Sequence, residues 1–112
     1  MNAARWFFLL ASLGSFGCGP IVSGVEIVNA NVALSAAETA GAKRTAIYEY
    51  TAAREYLQKA REEHGYSDFW ASRVYAERAL DYALKARKKA EAAAQTEQPV
   101  VMPEQPSAVP TP

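Results

Sequence analysis

The chain has 112 residues, half of them hydrophobic, with 12 Lys and Arg against 12 Asp and Glu and a formal net charge of zero. A neutral chain lacks the clustered basic surface that nucleic acid requires, so no nucleic-acid partner is expected. A single cysteine rules out an intrachain disulfide framework, and a single histidine leaves a metal or acid–base site without a second imidazole.

The chain opens with Met1 to Arg5, which carry one positive charge, followed by the apolar run Trp6 to Leu13. That run has roughly the length of a secretory h-region and is too short to span a bilayer. Gly14, Ser15 and Gly17 lead to Cys18, the only cysteine. This order resembles a bacterial lipoprotein signal, in which a dedicated peptidase cuts before the cysteine and its thiol carries diacylglycerol. The resemblance implies a signal peptide over 1–17 and a membrane anchor at Cys18, made lasting by acyl methylenes worth about 0.8 kcal/mol each. The alternative is ordinary secretion, with cleavage after Ser15-Phe16-Gly17 and a free thiol left behind. A third reading is an uncleaved helix packed in the core. Gly19 lacks the aspartate that retains many lipoproteins at the inner membrane, so an outer-membrane anchor on the periplasmic face is expected. Residues 18–24 are read as the lipidated cysteine and a short tether, and no later apolar run approaches the length of a transmembrane helix.

A helical domain is expected over residues 25–95. Its first helix, Val25 to Ala40, offers Ile27, Ala30, Leu34 and Ala37 on one stripe, with Gly41 as its stop. The spacing predicts a second helix from Thr45 to His64, with Ala46, Tyr50, Ala53, Leu57, Ala60 and His64 at heptad steps. Tyr48 and Tyr56 widen that face, and Glu55 and Lys59 stand four apart along the surface. Gly65 is suited to a helix C-cap because it adopts positive φ without steric cost. The short link His64-Gly65-Tyr66-Ser67 makes its two helices antiparallel neighbours.

The last helix, Ser67 to Gln95, carries the clearest period: Ser72, Ala76, Ala79, Ala83, Ala86, Ala90 and Ala93 alternate steps of four and three. Such a seam of small residues lets backbones approach closely. Phe69, Trp70 and Val74 thicken its first turns, and Ser67 and Asp68 offer N-cap chemistry. This helix is expected to outrun its partner by two turns or more. The overhang carries Lys85, Arg87, Lys88 and Lys89, which complement the helix dipole or meet an anionic partner. Residues 96–112 hold five prolines and read as a disordered or polyproline II-like tail.

The run Tyr48-Glu49-Tyr50-Thr51-Ala52-Ala53-Arg54-Glu55-Tyr56-Leu57-Gln58-Lys59-Ala60-Arg61, with Gly65-Tyr66-Ser67-Asp68 and then Ala71, Ala76, Glu77, Ala79 and Ala83, is more distinctive than its periodicity. Together these residues resemble a helical domain of unknown function found in short bacterial lipoproteins, and ahead of OmpA-like peptidoglycan-binding domains in longer ones. The likeness covers about Ala30 to Ala93. It implies an envelope location and a scaffold or interaction role, and it brings no catalytic residues. The hairpin is also similar to one tetratricopeptide unit, and one unit alone does not make a solenoid.

No Gly-rich phosphate loop and no nucleophile elbow is present. His64 reads as an exposed or capping residue, and Glu77 and Asp81 as a solvated face paired with Arg73 and Lys85. No enzyme activity, cofactor or metal is therefore expected. Eight aromatic residues crowd the helical part, too many for so small a core, which leaves Tyr48, Trp70 and Tyr75 as a candidate partner-binding surface together with Arg87, Lys88 and Lys89. The expected fold is all-α: an antiparallel hairpin with a third, N-terminal helix in a small tetratricopeptide-like bundle, followed by a disordered Pro-rich tail. The expected role is that of a non-enzymatic envelope lipoprotein with a protein partner. The alternative is a secreted helical adaptor that self-associates through the alanine seam.

Overall fold

The computed structural model describes residues 19–98 and builds them into four helices, with no strand among the described residues. These are α1 (Gly19–Thr39), α2 (Ala42–Thr45), α3 (Ile47–Gly65) and α4 (Phe69–Glu97). The expected signal peptide 1–17, Cys18 and residues 99–112 of the tail lie outside the described residues.

Helix α1 begins six residues earlier than its spacing suggests, so the tether expected at Gly19 to Gly24 is instead helix. Pro20 is no obstacle in a first turn, where its missing N–H has no intrahelical partner. The early start has a packing cause: Ser23 is buried, and Gly19 lies against the Phe69 ring. At the other end Gly41, with φ of 89°, stops the helix as expected, and its N–H donates to the Glu38 carbonyl at 2.9 Å. Helix α2 is a single turn that redirects the chain. Ala46 then leaves helical geometry, with φ −136° and ψ 51°, before α3 starts.

The link between α3 and α4 differs from expectation in which residue takes the left-handed conformation. Gly65 is the last helical residue, and Ser67 carries the positive φ, 64°. The Ser67 and Asp68 N–H groups close the turn onto the His64 and Glu63 carbonyls at 3.0 and 2.9 Å. Asp68 is the N-cap of α4, its carboxylate accepting from the Ala71 N–H at 3.0 Å. Thr96 and Glu97 extend α4 into the first two residues of the expected tail.

Helices α3 and α4 form an antiparallel hairpin, and α1 lies across both, parallel to α4. The core is layered and almost wholly alanine. Ala30, Leu57 and Ala79 make one layer, and Ala33, Ala53 and Ala83 the next. Ala37, Ala42, Ala46, Ala86 and Ala90 close the end far from the turn. Helix α4 has 29 residues against 19 in α3 and so outruns it as expected, while the end of α1 and the turn of α2 cover Ala86 and Ala90. Among the described residues Leu57 is the only large hydrophobic side chain that is fully buried. The seam of α4 is thus occupied from Ser72 to Ala90 by α1 and α3 of the same chain.

Small side chains bring backbones close but bury few methylenes, so polar ties matter. The Ser72 hydroxyl donates to the Ala60 carbonyl at 2.9 Å. The Ser23 hydroxyl meets His64 Nδ1 at 3.0 Å, and Arg61 donates to the Asn31 side-chain carbonyl at 2.8 Å. No buried side-chain polar atom among the described residues lacks a partner.

Candidate functional site

Four tyrosines form a continuous aromatic ladder between α3 and α4. Tyr48 and Tyr56 come from α3, two turns apart, and Tyr75 and Tyr82 from α4, likewise two turns apart. The antiparallel hairpin interleaves them. Tyr48 meets Tyr82 edge-on at 6.1 Å between centroids, Tyr82 stacks on Tyr56 at 5.6 Å, and Tyr56 stacks on Tyr75 at 6.2 Å. These are the offset and T-shaped geometries that aromatic pairs favour.

The ladder is open to solvent at one end. Tyr48 is 69% exposed, whereas Tyr56, Tyr75 and Tyr82 are half-buried. Cations flank it: the Arg78 guanidinium lies 5.8 Å from the Tyr56 centroid, and the Lys85 ammonium 5.3 Å from that of Tyr82. Hydrogen bonding to the Tyr48 phenol raises the Tyr82 phenol above its ordinary value. Asp81 salt-bridges Lys85 at 2.6 Å, and hydrogen bonding to that carboxylate raises the ammonium.

The six residues expected to form one surface are divided among several places. Tyr48 and Tyr75 belong to the ladder, with Tyr75 half-buried rather than free. Trp70 is 72% exposed at the opposite end of the bundle, beside Gly19, Val22 and Arg73. The basic run is dispersed by the helical turn. Arg87 pairs with Glu91 at 2.7 Å on the flank facing α1, and Lys89 reaches across to Glu49 on α3 at 3.1 Å. Lys88 is exposed. No single cationic site results. Arg73 and Glu77 pair at 3.4 Å, whereas Lys59 bonds Glu63 at 2.8 Å and not the expected Glu55, which instead meets Arg54.

Sequence spacing missed the ladder itself. Tyr75 and Tyr82 repeat at seven, and Tyr48 and Tyr56 at eight, but only the register of the hairpin turn brings the two pairs together. Among the described residues no group of three or more His, Cys, Asp or Glu could hold a metal ion. What the arrangement offers is a stacking and hydrogen-bonding surface.

No curated protein and no solved structure matches this chain. A family model does, over residues 25–100, which takes in α1 from Val25 onward together with α2, α3 and α4. The chain belongs to the DUF4398 family, a domain of unknown function.

Proposed function

We propose that this chain is a membrane-anchored bacterial envelope lipoprotein with a non-enzymatic scaffold or protein-interaction role, and that the tyrosine ladder is where it meets its partner. The observation that carries the interaction role is Tyr48, 69% exposed at the open end of a pre-stacked ladder. Stacked rings held by a rigid hairpin lose little entropy on binding, and tyrosine is among the residues that most often anchor interfaces. The anchor rests on the order of residues before Cys18, and the envelope location on the resemblance to short lipoproteins and to domains ahead of OmpA-like modules. In this reading the Pro-rich tail is a polyproline II-like spacer, the hairpin packs like a single tetratricopeptide unit, and the outer membrane holds the acyl chains.

Two measurements test it. Intact mass of the protein from membrane and soluble fractions, for wild type and Cys18→Ala, reports the anchor. A membrane-bound species beginning at Cys18 and heavier by diacylglycerol supports it, and an unmodified soluble species leaves a secreted adaptor. Crosslinking from a photoreactive group at Tyr48 in intact cells reports the partner. A discrete adduct lost on Tyr82→Ala supports the ladder, whereas no adduct from Tyr48 removes it.

A further inference from the structure

Helix α1 is apolar on two opposite faces, and only one of them is used inside the bundle. At ~100° per residue, Ser23, Ala30, Ala33 and Ala37 fall on the side that packs against α3 and α4. Ile21, Val25, Val28 and Val32 fall on the opposite side, stepping by four, three and four. They are 68%, 52%, 60% and 62% exposed, on a stripe about 16 Å long. The only ionisable residue in the first four turns is Glu26, half-buried on the inner side of the wheel. Beyond Val32 the outer face turns polar, with Ser35 and Thr39. By length and composition α1 is apolar enough to cross a membrane, contrary to the expectation that no later run would be, yet its inner face is committed to the bundle.

We infer that this outer face of α1 lies on the lipid interface of the membrane to which the chain is tethered. The inference rests on the anchored reading above and adds an orientation to it. In that reading cleavage removes residues 1–17 and leaves the acylated Cys18 directly before Gly19, so the chain enters α1 from its lipid anchor. The stripe is strongest next to that entry and fades away from it, as a helix tilted into an interface from its first turn requires. Trp70 stands beside the same end and shares an open cleft of about 300 Å³ with Val22 and Arg73. An exposed indole next to a guanidinium suits the headgroup level, where the ring straddles apolar and polar layers. A second copy fits the face less well. β-Branched residues at every seam position disfavour a two-stranded coil, and the flanking Asn29 and Asn31 supply none of the opposed charges that set helix pairing.

The test places a nitroxide at Val28→Cys, and in a second protein at Asp81→Cys on the outer side of α4, in the full anchored chain. Each is reconstituted in vesicles of phosphatidylethanolamine and phosphatidylglycerol. The expected result is a label at position 28 that collides with oxygen several-fold more readily than with a nickel chelate, and the reverse at position 81. Equal nickel access at both positions overturns the inference. Shielding from both reagents at 28 with dipolar broadening also overturns it, in favour of a second copy. Intact mass of the same preparation shows separately whether Cys18 is acylated. If it is not, Val28→Cys in a Cys18→Ser chain is added to the same vesicles. Oxygen-favoured access then upholds the lipid-facing surface without the anchor, and nickel access overturns it.

Discussion

The Ser72 hydroxyl donates to the Ala60 carbonyl at 2.9 Å, and both residues are fully buried, so one side-chain bond stitches α4 to α3 close to their turn. In a core of methyl groups this bond also sets how far apart the two backbones sit. Ser72→Ala keeps the small volume and removes only the bond, and should lower stability by about 1 kcal/mol. Urea unfolding checks it: the midpoint falls while the slope is unchanged.

Leu57 should be the most sensitive apolar position, since among the described residues it alone places a large hydrophobic side chain fully inside, between Ala30 and Ala79. Leu57→Ala is expected to cost about 2–5 kcal/mol, a large share of the roughly 5–15 kcal/mol that holds a small domain together. The reverse error, Ala83→Leu, inserts bulk where Ala33 and Ala53 already meet it and should cost about 1–3 kcal/mol. Exposed Ala92→Leu, on the same helix, should stay within about 0.5 kcal/mol. Equal effects at positions 83 and 92 in thermal unfolding would count against close seam packing.

The parts of the fold legible in the sequence are those where one period dominates. The small-residue seam of α4 stands out because every seventh and intervening fourth residue is alanine or serine. Its burial from Ser72 to Ala90 is a direct consequence. Helix α1 is harder to read, because apolar residues surround it and periodicity alone does not say which face turns inward. Its expected stripe holds Ala30 and Ala37 correctly but includes half-buried Ile27 and Leu34, while Ser23 and Ala33 complete the buried face. Gly19, Pro20 and Gly24 have the local composition of a linker. Only the tertiary contact with Phe69 and His64 makes them helix. The ladder depends on hairpin register, which no single segment encodes.

Gly41 carries a prediction about backbone alone. Its φ is 89°, and a Cβ built there meets nothing within 4 Å, so any cost of substitution comes from the left-handed conformation and not from crowding. Gly41→Ala should destabilise by roughly 1–2 kcal/mol. Gly41→Asn should lose less, because asparagine tolerates this region. Chemical denaturation of the two variants side by side decides it, and identical losses would point to a contact instead.

Glu38 ties the end of α1 to both α2 and α3, bonding the Lys43 ammonium and accepting from the Tyr50 hydroxyl at 3.2 Å. Hydrogen bonding to Lys43 holds the carboxyl below its ordinary value of 4.5, and hydrogen bonding to Glu38 raises Lys43 above 10.5. Because the folded carboxyl is depressed, its contribution is present above pH 4.5 and disappears as the pH falls through the lower folded value. Because the folded ammonium is raised, its contribution is complete below pH 10.5 and is lost as the pH climbs through the higher folded value. The difference in melting temperature between wild type and Glu38→Gln should therefore be flat between these limits and close at both ends. It should also be small and shrink with added salt, since both side chains are exposed. A difference that persists unchanged well below pH 4.5 would assign the effect to the Tyr50 contact rather than to the ion pair.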